Sequence, residues 1–92
     1  MSNDVRNNEQ ENRYELKLDG DEVAFAAFDR RNGAIALTHT ELPPEREGQG
    51  IGSRLIKGAL DDIRAKHLKV VPLCTFVASY INNHPELQDL LS

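Results

Sequence analysis

Apolar and polar positions alternate with period two along Tyr14-Glu15-Leu16-Lys17-Leu18, the pattern of a half-buried strand. A second such run covers Glu22–Phe28, where Val23, Phe25 and Ala27 share a face. A third covers Ala34–Glu41, where Ile35, Leu37 and His39 alternate with Ala36, Thr38 and Thr40. Asp19-Gly20-Asp21 joins the first two runs, and Arg30-Arg31-Asn32-Gly33, with its Asn-Gly signal, joins the next two. Two consecutive hairpins predict an antiparallel meander. Leu42-Pro43-Pro44-Glu45-Arg46 ends it, because adjacent prolines continue neither a paired strand nor a helix interior.

The period changes near Gly50. Ile51, Leu55, Ile56, Ala59, Leu60 and Ile63 form one stripe of a helix, and Arg64, Lys66, His67 and Lys69 gather at its C-terminal end, where the dipole favours cations. Lys69–Cys74 follows as a short apolar strand around Val70-Val71-Pro72-Leu73. The order strand–helix–strand predicts a parallel crossover. Phe76–Asn83 reads as a second helix, with Phe76 in the core and Asn83 as cap or ligand contact. His84-Pro85 stops it, and Glu86–Leu91 has room for one more turn. Residues 1–12 are rich in Asn, Glu, Gln and charge and read as a flexible N-terminal tail ahead of a domain over 13–92.

Composition narrows the function classes. Ninety-two residues, 39% apolar, make one small domain. There is no apolar tract of membrane-spanning length and no signal-like N-terminus. The net charge of −4 argues against a nucleic-acid partner. The single cysteine forms no internal disulfide and fits a reducing cytoplasm. Three histidines and one cysteine, at 39, 67, 74 and 84, give no metal-ligand spacing. A monomer or weak dimer is expected.

The most specific chemistry lies in Glu47-Gly48-Gln49-Gly50-Ile51-Gly52 at the start of the first helix. Glycines there bare the first backbone N–H groups, and the helix dipole favours an anion, so the turn suits a phosphate or diphosphate. The ordinary alternative is a strand-to-helix connection without a ligand. A P-loop is excluded by the missing Gly-Lys-Ser/Thr. A dinucleotide fingerprint is excluded by the third glycine's spacing and the short chain. A third pattern, which the segment resembles, is the acyl-CoA turn of the GNAT N-acetyltransferases, Arg/Gln-x-x-Gly-x-Gly/Ala. Gly50 and Gly52 match its glycines, and Ser53-Arg54-Leu55-Ile56 matches the start of its helix.

With these glycines stand His39-Thr40-Glu41-Leu42-Pro43-Pro44-Glu45, Val70-Val71-Pro72-Leu73-Cys74 and Tyr80…His84-Pro85. Over about residues 14–85 the chain resembles the small single-domain family of GNAT-like (GCN5-related) N-acetyltransferases. The resemblance implies an α/β (α+β) minimal GNAT fold, a mixed sheet of about four strands with two helices. It also implies acetyl-CoA or CoA, its pantetheine arm in a gap between Ala34–Glu41 and Lys69–Leu73. The diphosphate would lie on Gly48, Gln49, Gly50, Ile51, Gly52 and Ser53, with Arg46 and Arg54 nearby. The motif's basic first position falls on Glu47, a carboxylate that repels a diphosphate, with arginine displaced to Arg46.

Transfer needs a thioester held against an amine, a base for the amine and an acid for the leaving thiolate. By resemblance Cys74 is a candidate nucleophile, against its ordinary reading as a small buried residue. Tyr80 falls where the family's Tyr-x-x-x-Gly-Phe tyrosine protonates the leaving thiolate, with His84-Pro85 in place of Gly-Phe; otherwise it is an aromatic core anchor. Glu41 is the better candidate base and His39 the second, although a strand histidine is commonly structural and a strand-end glutamate commonly just solvated. The helices that wall in the acceptor in typical GNAT enzymes have no room here, because Leu18 and Glu22 are joined by a three-residue turn. An exposed acceptor is therefore expected: a protein, a peptide or a polyamine. The rival reading is a non-catalytic CoA-binding or protein-interaction module of the same fold. A structural domain without a ligand is the third.

Overall fold

The computed structural model describes residues 4–46, 48 and 50–91. The meander is present. Strands β1 (Arg6–Asn8), β2 (Arg13–Lys17), β3 (Val23–Arg31) and β4 (Ala34–Glu41) run antiparallel in sequence order. Helix α1 (Ile51–Ala65) crosses over to β5 (Lys69–Pro72), which lies parallel to β4. Helix α2 (Thr75–Asn82) follows, then a 3-10 segment over Pro85–Leu90, and Leu91 bridges back to Val70. The sheet order is β1-β2-β3-β4-β5. Among the described residues no helix is long and apolar enough to cross a membrane.

The sheet has five strands where about four are expected. The addition is β1, inside the segment that the sequence predicts as a tail. Its residues, Arg-Asn-Asn, are poor strand formers. Partner side chains hold it instead: Asn8 Nδ2 donates to Glu15 Oε2 at 3.1 Å, Arg6 pairs with Glu15 at 3.6 Å, and Val5 packs against the core.

One core lies between the sheet and α1. Tyr14, Leu16, Ala24, Ala26, Phe28, Ile35 and Leu37 from the strands meet Leu55, Ile56, Ala59, Leu60 and Ile63 of the helical stripe, and Val77 and Ile81 of α2 join them. Tyr14 is 1% exposed and donates its hydroxyl to Asp62 Oδ2 at 2.7 Å, which ties β2 to α1. The C-terminus of α1 is a Schellman cap built on a histidine. His67, at φ 59°, donates its N–H to Arg64 O, and the Leu68 N–H reaches Ile63 O.

A single irregularity in the sheet decides where the site residues point. Ala27 faces His39, but Phe28 faces Leu37, so Thr38 is an extra residue in β4. A bulge of this kind reverses the alternation beyond it. Before it, Ile35 and Leu37 face the core. After it, Thr40 stands opposite the buried Ala26, on the core face. His39 and Glu41 stand with Ala27 and Phe25 on the face away from the core. The expected grouping of His39 with Ile35 and Leu37 is thus reversed by one inserted residue.

Candidate functional site

The helix N-terminus is shaped by its glycines in two different ways. Gly48 and Gly50 have φ of 87° and 76°, the left-handed region, and a Cβ at either would meet nothing. They are needed for the path of the turn. Gly52 is needed for space, since a Cβ there would stand 2.7 Å from the Phe76 ring. Phe76 itself is 40% exposed. The expectation that it is core is therefore corrected: it lies over the start of α1, outside the buried cluster, because it sits in the first turn of α2 on the side away from Val77 and Ile81.

The first helical bond at this end is Arg54 N–H to Gly50 O, 3.1 Å. That leaves the amides of Ile51, Gly52 and Ser53 at the open end of the dipole. The N-cap residue, Gly50, has no side chain to cap them, and no acidic residue lies in the first turn. Ile51 is buried and anchors the turn, while Ser53 and Arg54 are exposed. Arg54 reaches Asp4 at 3.4 Å. Arg46 ends a one-turn 3-10 segment over Pro44–Arg46. Gln49 and Glu47 lie outside the described residues. Helix-start amides without a hydrogen-bond partner among the described residues, and no first-turn carboxylate, suit a diphosphate.

Beside this turn, β4 and β5 separate. Their pairing ends at Leu37 and Pro72, and the N–H groups of Leu73 and Cys74 both converge on Leu37 O, each at 3.0 Å. From Thr38 to Glu41 the β5-side edge of β4 has no strand partner among the described residues. Cys74 stands at the head of this gap, half-buried, as N-cap residue of α2. Its Sγ donates to Thr40 Oγ1 at 3.4 Å. Burial pushes the thiol pKa up, but the Thr40 hydroxyl, the first-turn amides of Val77 and Phe76 and the Thr40 amide outweigh it. The thiol is held below its ordinary value. A depressed thiol pKa without a neighbouring cation was not legible in the sequence, and neither was Thr40, whose orientation depends on the bulge.

His39 and Glu41 pair with each other, Nε2 to Oε2 at 2.9 Å, both largely exposed. They lie on the opposite face of the same open β4 edge from Thr40. Tyr80 belongs to a third place. It lines a cavity of about 650 Å³ between α1 and α2, with Lys57, Asp61, Arg64 and Glu86. Its ring stacks on His84, centroids 4.1 Å apart, and His84 Nδ1 lies 2.6 Å from Tyr80 O. Burial raises the phenol pKa, Lys57 lowers it, and Asp61 and Glu86 raise it further, so the hydroxyl is held above its ordinary value and stays protonated. Asn83 is the C-cap of α2 and exposed. The structure thus joins Cys74 to Thr40 and His39 to Glu41, and keeps Tyr80 apart, in a cavity that Cys74 does not line. Among the described residues no group of three His, Cys, Asp or Glu side chains could hold a metal ion.

Comparison with known proteins agrees with this architecture. The family model for the GCN5-related N-acetyl-transferase matches residues 13–90. The protein NATD1 of Mus musculus is 28% identical over 83 residues, 88% of this chain and 76% of the relative. Its counterparts in Gallus gallus and Homo sapiens are each 35% identical over 51 residues, 55% of this chain. Those alignments span under half of the relatives, 46% and 45% respectively. The NMR solution structure of a GCN5-like protein from Staphylococcus aureus superposes with a TM-score of 0.73 at 25% identity, over 100% of this chain and 91% of the other. The chain belongs to the GCN5-related N-acetyltransferase family.

Proposed function

We propose that the protein is an acetyl-CoA-dependent N-acetyltransferase acting on an exposed amine. The observation that carries this reading is the open β4 edge beyond Leu37. It begins beside a glycine turn with free amides and holds a cysteine whose thiol is depressed by its surroundings. Acetyl-CoA supplies an acetyl group already activated as a thioester. Its diphosphate would lie on the amides of Ile51, Gly52 and Ser53, beside Gly48 and Arg54, and its extended arm along the β5-side edge of Thr38–Glu41, which has no strand partner among the described residues.

Two routes remain open to the chain. In the covalent one the Cys74 thiolate attacks the acetyl carbonyl, a new S–C bond forms and the thioester's own C–S bond breaks. By the family resemblance the departing CoA thiolate takes its proton from Tyr80, which the cofactor sulfur must reach from the gap, and the acceptor amine later displaces the cysteine while Glu41, or His39 beside it, takes the amine proton. In the direct one the neutral amine attacks the acetyl carbonyl, a C–N bond forms, the thioester C–S bond breaks, the CoA thiolate leaves with a proton from Tyr80, and Cys74 only lines the gap. Glu41 and Thr40 are consecutive and face opposite sides of one edge, so a base and a thiol can address an acetyl group there from both faces. The alternative, a CoA-binding or interaction module without catalysis, is favoured by Glu47 in the basic position of the turn.

Incubation of the purified protein with acetyl-CoA, followed by intact mass spectrometry, separates these. One added acetyl group, absent in Cys74→Ala, is the expected result. An unmodified protein that still releases CoA in the presence of a lysine peptide selects direct transfer. No adduct and no CoA release leaves the non-catalytic module as the better reading.

A further inference from the structure

We propose that the groove where β3 begins and β4 ends is the acceptor site, and that it takes a primary alkylammonium group on an unbranched methylene chain. This rests on the acetyl-transfer reading above. The groove measures about 280 Å³, just under the usual range for drug-sized pockets, roughly 300 Å³ and upward. That is room for a single alkyl chain and too little for an enclosed metabolite.

Its walls alternate in a way that suits such a chain. Glu22 and Glu41, the second within 2.9 Å of His39, supply carboxylates, and Val23, Phe25, Pro43 and Pro44 supply apolar surface between them. A methylene chain buries against the prolines and Val23 while its ammonium stays with the acids. Phe25 already carries a cation on this face: the Arg13 guanidinium sits 4.6 Å from its ring centroid, and that charge is balanced by Glu15 at 2.6 Å. Arg13 therefore adds no free positive charge to the groove. The overall charge of −4 draws cations toward the molecule and not away from it.

The groove also lies where transfer requires it. Glu41 follows Thr40, the partner of Cys74 across the gap. Leu42 lines the groove and also reaches back to the glycine turn, with Cδ1 3.4 Å from where a Cβ of Gly52 would be. None of the residues that line the groove belongs to an α-helix, so a long chain can enter with its parent molecule still outside. The shared chemistry covers a lysine side chain of a polypeptide and a free polyamine, and two arms of one experiment distinguish them.

The experiment is an amide-resolved NMR titration of the full chain, without acetyl donor, using three probes. These are Nα-acetyl-lysine methylamide, cadaverine and the neutral Nα-acetyl-norleucine methylamide. The expected result is shifts confined to the amides of 22–25 and 41–42 with at least one cationic probe. The norleucine probe should bind several-fold more weakly, and Glu41→Gln should weaken the cationic probe about fivefold. Equal binding of the norleucine probe, no response to Glu41→Gln, or shifts mapping outside the groove would overturn the assignment. Because no acetyl group is involved, this result stands apart from whether the protein binds acetyl-CoA at all.

Discussion

Thr40 and Cys74 meet across the gap between β4 and α2, with Sγ 3.4 Å from Oγ1. The contact exists because the extra residue Thr38 turns Thr40 to the core face. As the thiol ionises, the same hydroxyl can rotate to donate to the sulfur, and so it favours the thiolate. Thr40→Val keeps the shape and removes the donor. The rate of Cys74 alkylation should then rise with pH about half a unit later than in the parent, the linkage expected of a hydrogen bond worth under ~1 kcal/mol. Thr40→Ser should restore the parent profile. An unchanged profile in Thr40→Val would leave the helix amides as the whole cause.

The Tyr14 hydroxyl donates to Asp62 in a partly buried setting, and Lys66 stands 2.9 Å from the same carboxylate. Tyr14→Phe should destabilise the protein by about 1.5 kcal/mol, as for a bond to a charged group, read from urea unfolding. Asp62 is partly desolvated, which raises its pKa. Lys66, Tyr14 and Asn7 lower it more, and the net direction is down. A depressed carboxyl contributes stability that is present above its unfolded pKa and lost as pH falls through the folded one. Acid unfolding below about pH 4 should therefore begin less steeply in Tyr14→Phe.

His67 occupies the left-handed position of the α1 cap at φ 59°. Glycine adopts that conformation without the Cβ clash, so His67→Gly should stabilise the fold by about 0.5–1 kcal/mol. A thermal melt checks the sign. A loss of stability would mean that the imidazole contributes more than its backbone strain costs.

Tyr80 keeps its proton, held above its ordinary value by burial and by Asp61 and Glu86. A proton donor for a leaving thiolate acts only as the bond breaks. Tyr80→Phe should lower kcat by about tenfold to a hundredfold with little change in KM for acetyl-CoA. A change confined to KM would assign Tyr80 to the wall of its cavity.

The meander, the crossover and the turn that opens α1 were legible because each has a local chemical mark. Asn32-Gly33 marks a hairpin, Gly33 adopting φ 74°, and the stripe from Ile51 to Ile63 marks a buried helix face. What escaped reading has no local mark. Thr38 inserts into β4 by a choice of register against β3, and register depends on a distant partner, so the orientations of Thr40, His39 and Glu41 could not be read from β4 alone. Strand β1 is composed of polar residues and exists through Glu15 and Val5. Phe76 looks like core by type, yet lies on the surface because Gly52 leaves a seat for its ring. The candidate residues themselves were legible by type and position, while the pairing of Cys74 with Thr40 and the separation of Tyr80 required coordinates.

The account depends most on acetyl-CoA seating its diphosphate on the amides that follow Gly50. Calorimetric titration of acetyl-CoA into the parent chain and into Gly50→Val tests this directly. Valine is β-branched, and at φ 76° it is strained, so the path of the turn that presents those amides is disturbed. The account predicts measurable binding to the parent and at least a tenfold loss in Gly50→Val, a difference of about 1.4 kcal/mol, with the variant still folded by circular dichroism. Absence of binding to the parent, or equal binding to the two proteins, would contradict it.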